Sequence, residues 1–511
     1  MYRDKPSGYC EKKKREEKRL AEAKRREAAF LRMEADYGKD AADALRAHFA
    51  TYSDRFYKWL ARLYDPSVGG FYFNDIARDT DGYLPDVEST KQAMVFFQLT
   101  GLTSDYPSLV EAYPAWMRRQ VCDWVRGLQD PEDGYFYHPQ WGKNIVSSRQ
   151  GRDLDWATAT LTDFGEMPIW DAPTGHKGEK GAPCGAKAVT EDGNSGSPVA
   201  VYPERLRTLD AWRRYLICEL NENESPDDET PNAIRTKSYS IGNTISSQAA
   251  QILQRDRLGI ELGELVDSDG DGIADDGYVR MLERLLNGWL LPYNGLWEEN
   301  LSVDAEGNAV VDREGGTPYY NSINGLMKIT ASYNMLGIKF PYIEQALKQA
   351  MYMVEHYSEH EDGMPGPDVK GKRPSNVVDV YNPWVCIQRL MENLDMFYTP
   401  EQKAQMISLM KLRAANMIRV TTAKTRLFEK EDGSFGYHWG ECGTMSQRAR
   451  VSPPGFMGGD VNGGCIAVRG ITWFMCNGLG VGFIPIFGSS DWDECIDIFE
   501  QLDEAASKNN L

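Results

Sequence analysis

Five times along the chain a helical stretch gives way to a glycine turn followed by aromatic or apolar residues. The instances are YDPSVGGFYF (64–73), LQDPEDGYFYHPQW (128–141), LLPYNGLWEEN (290–300), HEDGMPG (360–366) and KEDGSFGYHWG (430–440). With Gly70, Gly134, Gly295, Gly363 and Gly433 as markers, the turns stand about 65–70 residues apart, one interval being roughly twice that. Such a period holds two helices and their connections, which makes helical hairpins the repeating unit. The intervening segments agree. VESTKQAMVFFQLTGL (87–102), NSINGLMKITASYNMLG (321–337) and YNPWVCIQRLMENL (381–394) carry apolar residues at helical spacing. Strand-like alternation is scarce. The expected fold class is mainly α, an (α/α)6-7 toroid or barrel of helical hairpins with a long loop insertion.

The rest of the chain fits around that period. Residues 1–50 read as a charged N-terminal helix in which Glu and Ala interleave with every basic cluster, a solvated face more than a basic tract. Residues 51–500 read as a single toroid domain, with a tail over 501–511. An insertion over about 165–235, rich in Gly, Pro, Lys and Asp, is long for a loop inside a compact domain and has the length of a lid.

Composition narrows the function classes. With 57 Lys+Arg against 76 Asp+Glu the formal charge is −19, which argues against nucleic acid or an anionic membrane as partner, because phosphate binding rests on clustered basic residues. A small anionic substrate held by a few local arginines stays open. No apolar run of about 18 residues exists for a membrane span. The charged start lacks an apolar signal core, and nine scattered cysteines without a CxxC pair read as reduced structural thiols, so a cytoplasmic chain is expected.

The turn-and-aromatic theme, with LQDPEDGYFYHPQW and VESTKQAMVFFQLTG, resembles the α/α-toroid proteins: terpenoid cyclases and prenyltransferases on one side, polysaccharide lyases and α/α-barrel glycosidases on the other. The resemblance implies a central funnel lined by inner-helix ends and loops. The cyclase branch calls for a dense acidic motif, and the dense acidic run here is DSDGDGIADDG (267–277). That run fits a calcium loop better. Asp267, Asp269, Asp271 and Asp275 stand at positions 1, 3, 5 and 9 with Gly272 at position 6, and Ca²⁺ takes oxygen donors from such alternating carboxylates. Tyr278 stands where the closing Glu belongs, so the expectation is a structural ion or an ordinary acidic turn.

The carbohydrate branch divides by chemistry. A glycosidase needs two carboxylates across the scissile bond. Asp86, Glu88, Glu298, Glu299, Asp379 and Glu441 are candidates among many acids. A lyase acting on a uronate needs a base for the C5 proton and donors that neutralise the carboxylate. In the toroid lyases this chain resembles, Tyr, His, Asn and Arg fill those roles. Here Tyr437 and His438 are candidates for base and acid, Asn243 and Asn324 for neutralising the carboxylate, and Arg448 for holding it. Arg152, His138 and Asn382 are candidate substrate-binding residues, with Trp141, Trp297 and Trp439 as stacking platforms for sugar rings. The densest polar and aromatic segment is 430–470. No phosphate loop, zincin or nucleophile-elbow motif is present. The expected function is a polysaccharide or oligosaccharide lyase cleaving uronate-containing glycans by β-elimination. A glycoside hydrolase and a non-catalytic carbohydrate-binding toroid are the alternatives, and no organic cofactor is expected.

Overall fold

The computed structural model describes residues 8–186, 202–222, 225, 227, 238–306, 308–313, 315–318, 320–356 and 376–509. The turn at Gly363 and much of the expected insertion (187–201 and most of 223–237) lie outside them. The described residues are mainly helical. Their strands are two- or three-residue antiparallel pairs: Tyr64–Asp65 with Gly70–Phe71, Leu301–Val303 with Ala309–Val311, and Met445–Ser446 with Ala449–Arg450.

The remaining four repeat turns are built on one plan. A glycine adopts a left-handed conformation at Gly69 (φ 96°), Gly134 (φ 76°), Gly295 (φ 68°) and Gly433 (φ 85°), and its N–H closes the turn on the carbonyl of Asp65, Asp130, Leu291 or Lys430. The first of these is one residue earlier than the Gly70 of the sequence pattern, because Gly70 pairs with Asp65 in the short strand. At three turns the preceding side chain accepts the N–H of the residue after the glycine: Asp133 from Tyr135 (3.0 Å), Asn294 from Leu296 (2.9 Å) and Asp432 from Ser434 (2.8 Å). Two residues after each glycine comes a buried aromatic: Phe71, Phe136, Trp297 and Phe435. These rings plug the end of the hairpin into the core.

The chain divides into two compact units. One comprises residues 1–121, 407–444 and 451–511; the other comprises 122–406 and 445–450. In the first, the charged helix runs Gly8–Tyr37, breaks at left-handed Gly38 and resumes as Lys39–Phe49. It is not wholly solvated: Ala29, Phe30 and Met33 are buried, and the buried Glu22 carboxylate accepts from the hydroxyls of Ser489 (3.3 Å) and Ser490 (3.1 Å). An aromatic core of Phe56, Phe96, Phe97, Trp492 and Phe499 joins the helices Asp54–Ala61, Val87–Leu99 and Ser489–Asn509.

The second unit holds successive helices Ser147–Asp163, Ser238–Ser246, Tyr320–Met335 and Val378–Phe397, each packed on the next. The last two run parallel. Asn324 meets Asn382 (2.8 Å) near both N-terminal ends, and Asn334 meets Asn393 (3.0 Å) near both C-terminal ends. Ser238–Ser246 is parallel to Tyr320–Met335 by the same test, since Ser238 lies against Gly325 and Gly242 against Ile329. Parallel neighbours need a returning helix between them. Ala249–Glu261 and Tyr278–Trp289 lie between one pair in sequence, and Ile343–Glu355 between the other. Tyr278–Trp289 buries Val279, Leu282, Leu286 and Trp289 along one stripe, whereas Tyr320–Met335 is buried almost all round. Parallel neighbours joined through returning helices are therefore present in this unit. Part of the expected insertion is also helical: Leu209–Arg214 continues into Tyr215–Leu220, because Trp212, Leu216 and Ile217 bury an apolar face and the Trp212 indole N–H reaches the Tyr278 carbonyl (3.1 Å). Among the described residues no helix is long and apolar enough to cross a membrane.

Candidate functional site

The polar residues of the second unit gather on the N-terminal half of Ser147–Asp163. Arg149 and Asp153 stand one turn apart, almost wholly buried, as an ion pair of 2.9 Å. The Arg149 guanidinium covers the face of Trp141 at 4.6 Å, the Trp141 indole N–H donates to Asp153 (3.3 Å), and His138 stacks on Trp141 at 3.9 Å. The expected binding residues His138 and Trp141 thus share one cluster. His138 is buried, with its Nδ1 accepting from the Gln140 N–H (3.2 Å), and Trp141 keeps part of its surface.

A second network starts at Arg152. Its guanidinium donates to the Asn243 side-chain oxygen (3.3 Å), and the Asn243 amide donates to Gln447 (2.6 Å), which also accepts from Ser148 (3.2 Å). Gln447 and Arg448 are the central pair of the two-residue turn joining Met445–Ser446 to Ala449–Arg450. Both have positive φ, 48° and 63°, in a turn type that ordinarily carries Asn and Gly. Non-glycine residues held left-handed at a polar cluster are strain of the kind found at functional sites. The turn leaves Arg448 exposed beside the Arg152–Asn243 pair's partner. The structure therefore brings Arg152, Asn243 and Arg448 into one neighbourhood.

Two residues of that neighbourhood were not foreseen. Gln447 gave no signal, since nothing in its residue type asks for a left-handed turn. Asp155 lies one turn beyond Arg152 on the same helix face, partly exposed, and its carboxyl has no hydrogen-bond partner among the described residues. Burial pushes it up to about 8, against the pull of the Arg152 guanidinium.

Asn324 belongs to a neighbouring group. It donates to Asp379 (3.3 Å) and accepts from Asn382, whose own side-chain oxygen is buried without a partner among the described residues. Glu298 is close by in chain terms but serves as a cap, accepting from the Ser238 backbone N–H (2.9 Å) and the Ser238 hydroxyl. Glu299 pairs with Arg313. Trp297 is buried, with its N–H on the Leu286 carbonyl (2.9 Å) and its ring against Tyr333 and Phe340, which leaves no face for a sugar.

Tyr437, His438 and Trp439 belong to the first unit. Asp460, fully buried, caps Val461–Cys465 through the Gly463 N–H (2.7 Å) and fixes the Tyr437 N–H (2.7 Å). Burial pushes its carboxyl up, while those two N–H groups oppose the shift. Lys430 gathers the carbonyls of His438 (3.1 Å), Trp439 (3.2 Å) and Gly440 (2.8 Å), and burial pulls its ammonium below the usual range. Tyr437 and His438 meet edge to face at 5.0 Å, and Trp439 is exposed. Glu441 accepts from the Gly455 N–H (2.5 Å), Asp86 caps Val87–Leu99 through Ser89 (3.0 Å), and Glu88 is buried in that helix.

In the acidic loop, Asp267, Asp269 and Asp271 place carboxylate oxygens within 4.8 Å of one another, and Gly270 and Gly272 supply the left-handed bends. Three hard oxygen donors fit a divalent cation. Asp275 is turned away from them to the Ser268 N–H (3.2 Å) and hydroxyl, and Tyr278 is buried, so neither adds to the donor set. Arg280 meets Asp271 at 3.3 Å and competes for the same oxygens.

No family model matches the chain, and no curated protein matches its sequence.

Proposed function

We propose that the chain is a carbohydrate-active enzyme of the α/α-toroid kind that acts on uronate-containing oligo- or polysaccharides, by β-elimination. The observation that carries this reading is the Arg152–Asn243–Gln447 network with Arg448 on its strained turn. Guanidinium and amide donors held together suit a carboxylate, because fixed cations and charge-assisted hydrogen bonds favour negative charge. In elimination the same donors stabilise charge that grows on the sugar carboxylate as the C5 proton leaves. Asn324 and Asn382 extend the polar row to the next helices. Calcium at Asp267, Asp269 and Asp271, as a clip on the loop before Tyr278–Trp289, is part of the proposal. A reducing compartment is also part of it, supported by thiols such as Cys386, Cys465 and Cys476 that are buried as core residues.

Incubation with polygalacturonate, alginate and glycosaminoglycan oligomers tests it. The expected result is new ultraviolet absorbance from an unsaturated uronate, lost in Arg152→Ala and Asn243→Ala. New reducing ends without absorbance would instead identify a glycoside hydrolase, a reading favoured by the upward push that burial gives the Asp155 carboxyl, as a general acid requires. Unchanged ligand with retained binding would identify a binding protein. Tyr437→Phe and His438→Ala, assayed alongside, show whether the first unit takes part in chemistry.

A further inference from the structure

We propose that Asp155 makes recognition of an acidic sugar in the second unit proton-linked: the sugar carboxylate takes the Arg152 side of the network with Asp155 in its protonated form. This rests on the uronate reading above and adds to it the control of the site by pH. The argument starts from placement. Arg152 and Asp155 are three residues apart on one face of Ser147–Asp163, the face from which Arg152 reaches Asn243. Trp156, one residue on, lies under the Arg152 guanidinium at 5.4 Å and holds that side chain down along the helix. An ionised carboxylate here would compete with any bound carboxylate for the same cation and repel it at short range.

The surroundings give Asp155 no other means of holding a charge. Its carboxyl has no hydrogen-bond partner among the described residues, in contrast to Asp153 two residues earlier, which is paired with Arg149 and Trp141. The helix Ser238–Ser246, packed against Ser147–Asp163, brings no charged side chain. The other charged or titratable groups on the elements around it include Arg149, paired with Asp153, His138, stacked on Trp141, Tyr137, which accepts from Gln150 (2.8 Å), Tyr239 of the packed helix, and Arg448 and Arg450 of the hairpin. Among the described residues Arg152 is the cation whose field is felt at Asp155, and burial outweighs it, which pushes the carboxyl up to about 8.

The test is calorimetric binding of trigalacturonate, with a neutral trisaccharide as control, to the full chain. Affinity of the unaltered protein is expected to fall about tenfold between about pH 7 and about pH 9, the consequence of one group losing its proton near 8. Asp155→Asn is expected to keep the affinity seen at the lower pH and to lose the dependence. A flat profile in the unaltered protein, or an unchanged slope in Asp155→Asn, would overturn the inference. Carbon-13 titration of the Asp155 carboxyl separates this from failure of the sugar reading. Absence of binding by either sugar with a midpoint near 8 sinks the uronate ligand and leaves a proton-holding Asp155. A midpoint in the ordinary carboxylate range sinks the inference whatever binds.

Discussion

Arg149 shows how much a single buried charge can decide. Its guanidinium meets Asp153, the Trp141 face and the Ser446 carbonyl in place of water. Removing it leaves Asp153 buried and uncompensated, which costs about 3–5 kcal/mol in comparable pairs. Arg149→Ala is therefore expected to lower the denaturation midpoint sharply, and to weaken sugar binding through the displaced Trp141 ring. Arg149→Ala without loss of stability in urea titration would mean that the pair is solvated. In the sequence Arg149 and Arg152 stood side by side in SSRQGRD as equivalent cations. Only packing separates them, one turned into the core against Asp153 and the other toward Asn243.

At the scale of the element, the turns are the best-read feature and the hairpin 445–450 the worst. Glycine, a preceding Asp or Asn and a following aromatic are local requirements of one backbone shape, so the pattern survives translation into structure at Gly134, Gly295 and Gly433. A Cβ on Gly134 would meet the Asp171 carbonyl oxygen at 2.4 Å, and one on Gly433 would meet Arg55 Nε at 2.4 Å. Both substitutions to Ala also force a left-handed residue. Gly134→Ala faces rigid backbone and is expected to cost the larger amount, of the order of 1–3 kcal/mol. Gly433→Ala faces a flexible side chain and should cost less, a ranking that thermal unfolding of the two variants checks. The turn at Gln447–Arg448 carries no such signature, because Gln447 is held by Asn243 and Ser148, contacts with sequence-distant groups. The acidic loop lies between these cases. Its spacing was readable, and the structure narrows the donors to Asp267, Asp269 and Asp271. Millimolar calcium is expected to raise the melting temperature of the unaltered chain and to leave the Asp267→Asn, Asp269→Asn, Asp271→Asn triple variant unmoved.

Across the whole molecule, two titratable groups, one in each unit, contribute to stability with opposite dependence on pH. In the first, His48 is enclosed by the hydroxyls of Thr422, Thr472 and Tyr52, and burial lowers it from 6.5 to about 3. The unfolded chain binds that proton more readily, so the stability His48 allows above pH 6.5 is lost progressively as pH falls toward 3. In the second, Asp155 is raised from 3.8 to about 8, and the sign reverses: its contribution is complete below 3.8 and is lost as pH rises through 8. Hydrogen exchange resolved by peptide is expected to show the segments around His48 loosening in acid and those around Asp155 in alkali, with His48→Gln and Asp155→Asn each flattening its own limb. Loosening of both segments on the same side, or no change in either variant, would refute the assignment. The sequence by itself determined the helical class and the turn chemistry, because propensity, apolar spacing and glycine conformation act over a few residues. It also supplied Arg152, Asn243 and Arg448 as candidates, on residue type alone. The tertiary structure decided which of them meet, that Trp297 is core, that Tyr437 and His438 stand in the first unit around Asp460, and that Asp155 is largely removed from water beside Arg152. Each of those outcomes depends on burial and on partners far away in the chain, and neither can be counted from neighbouring letters.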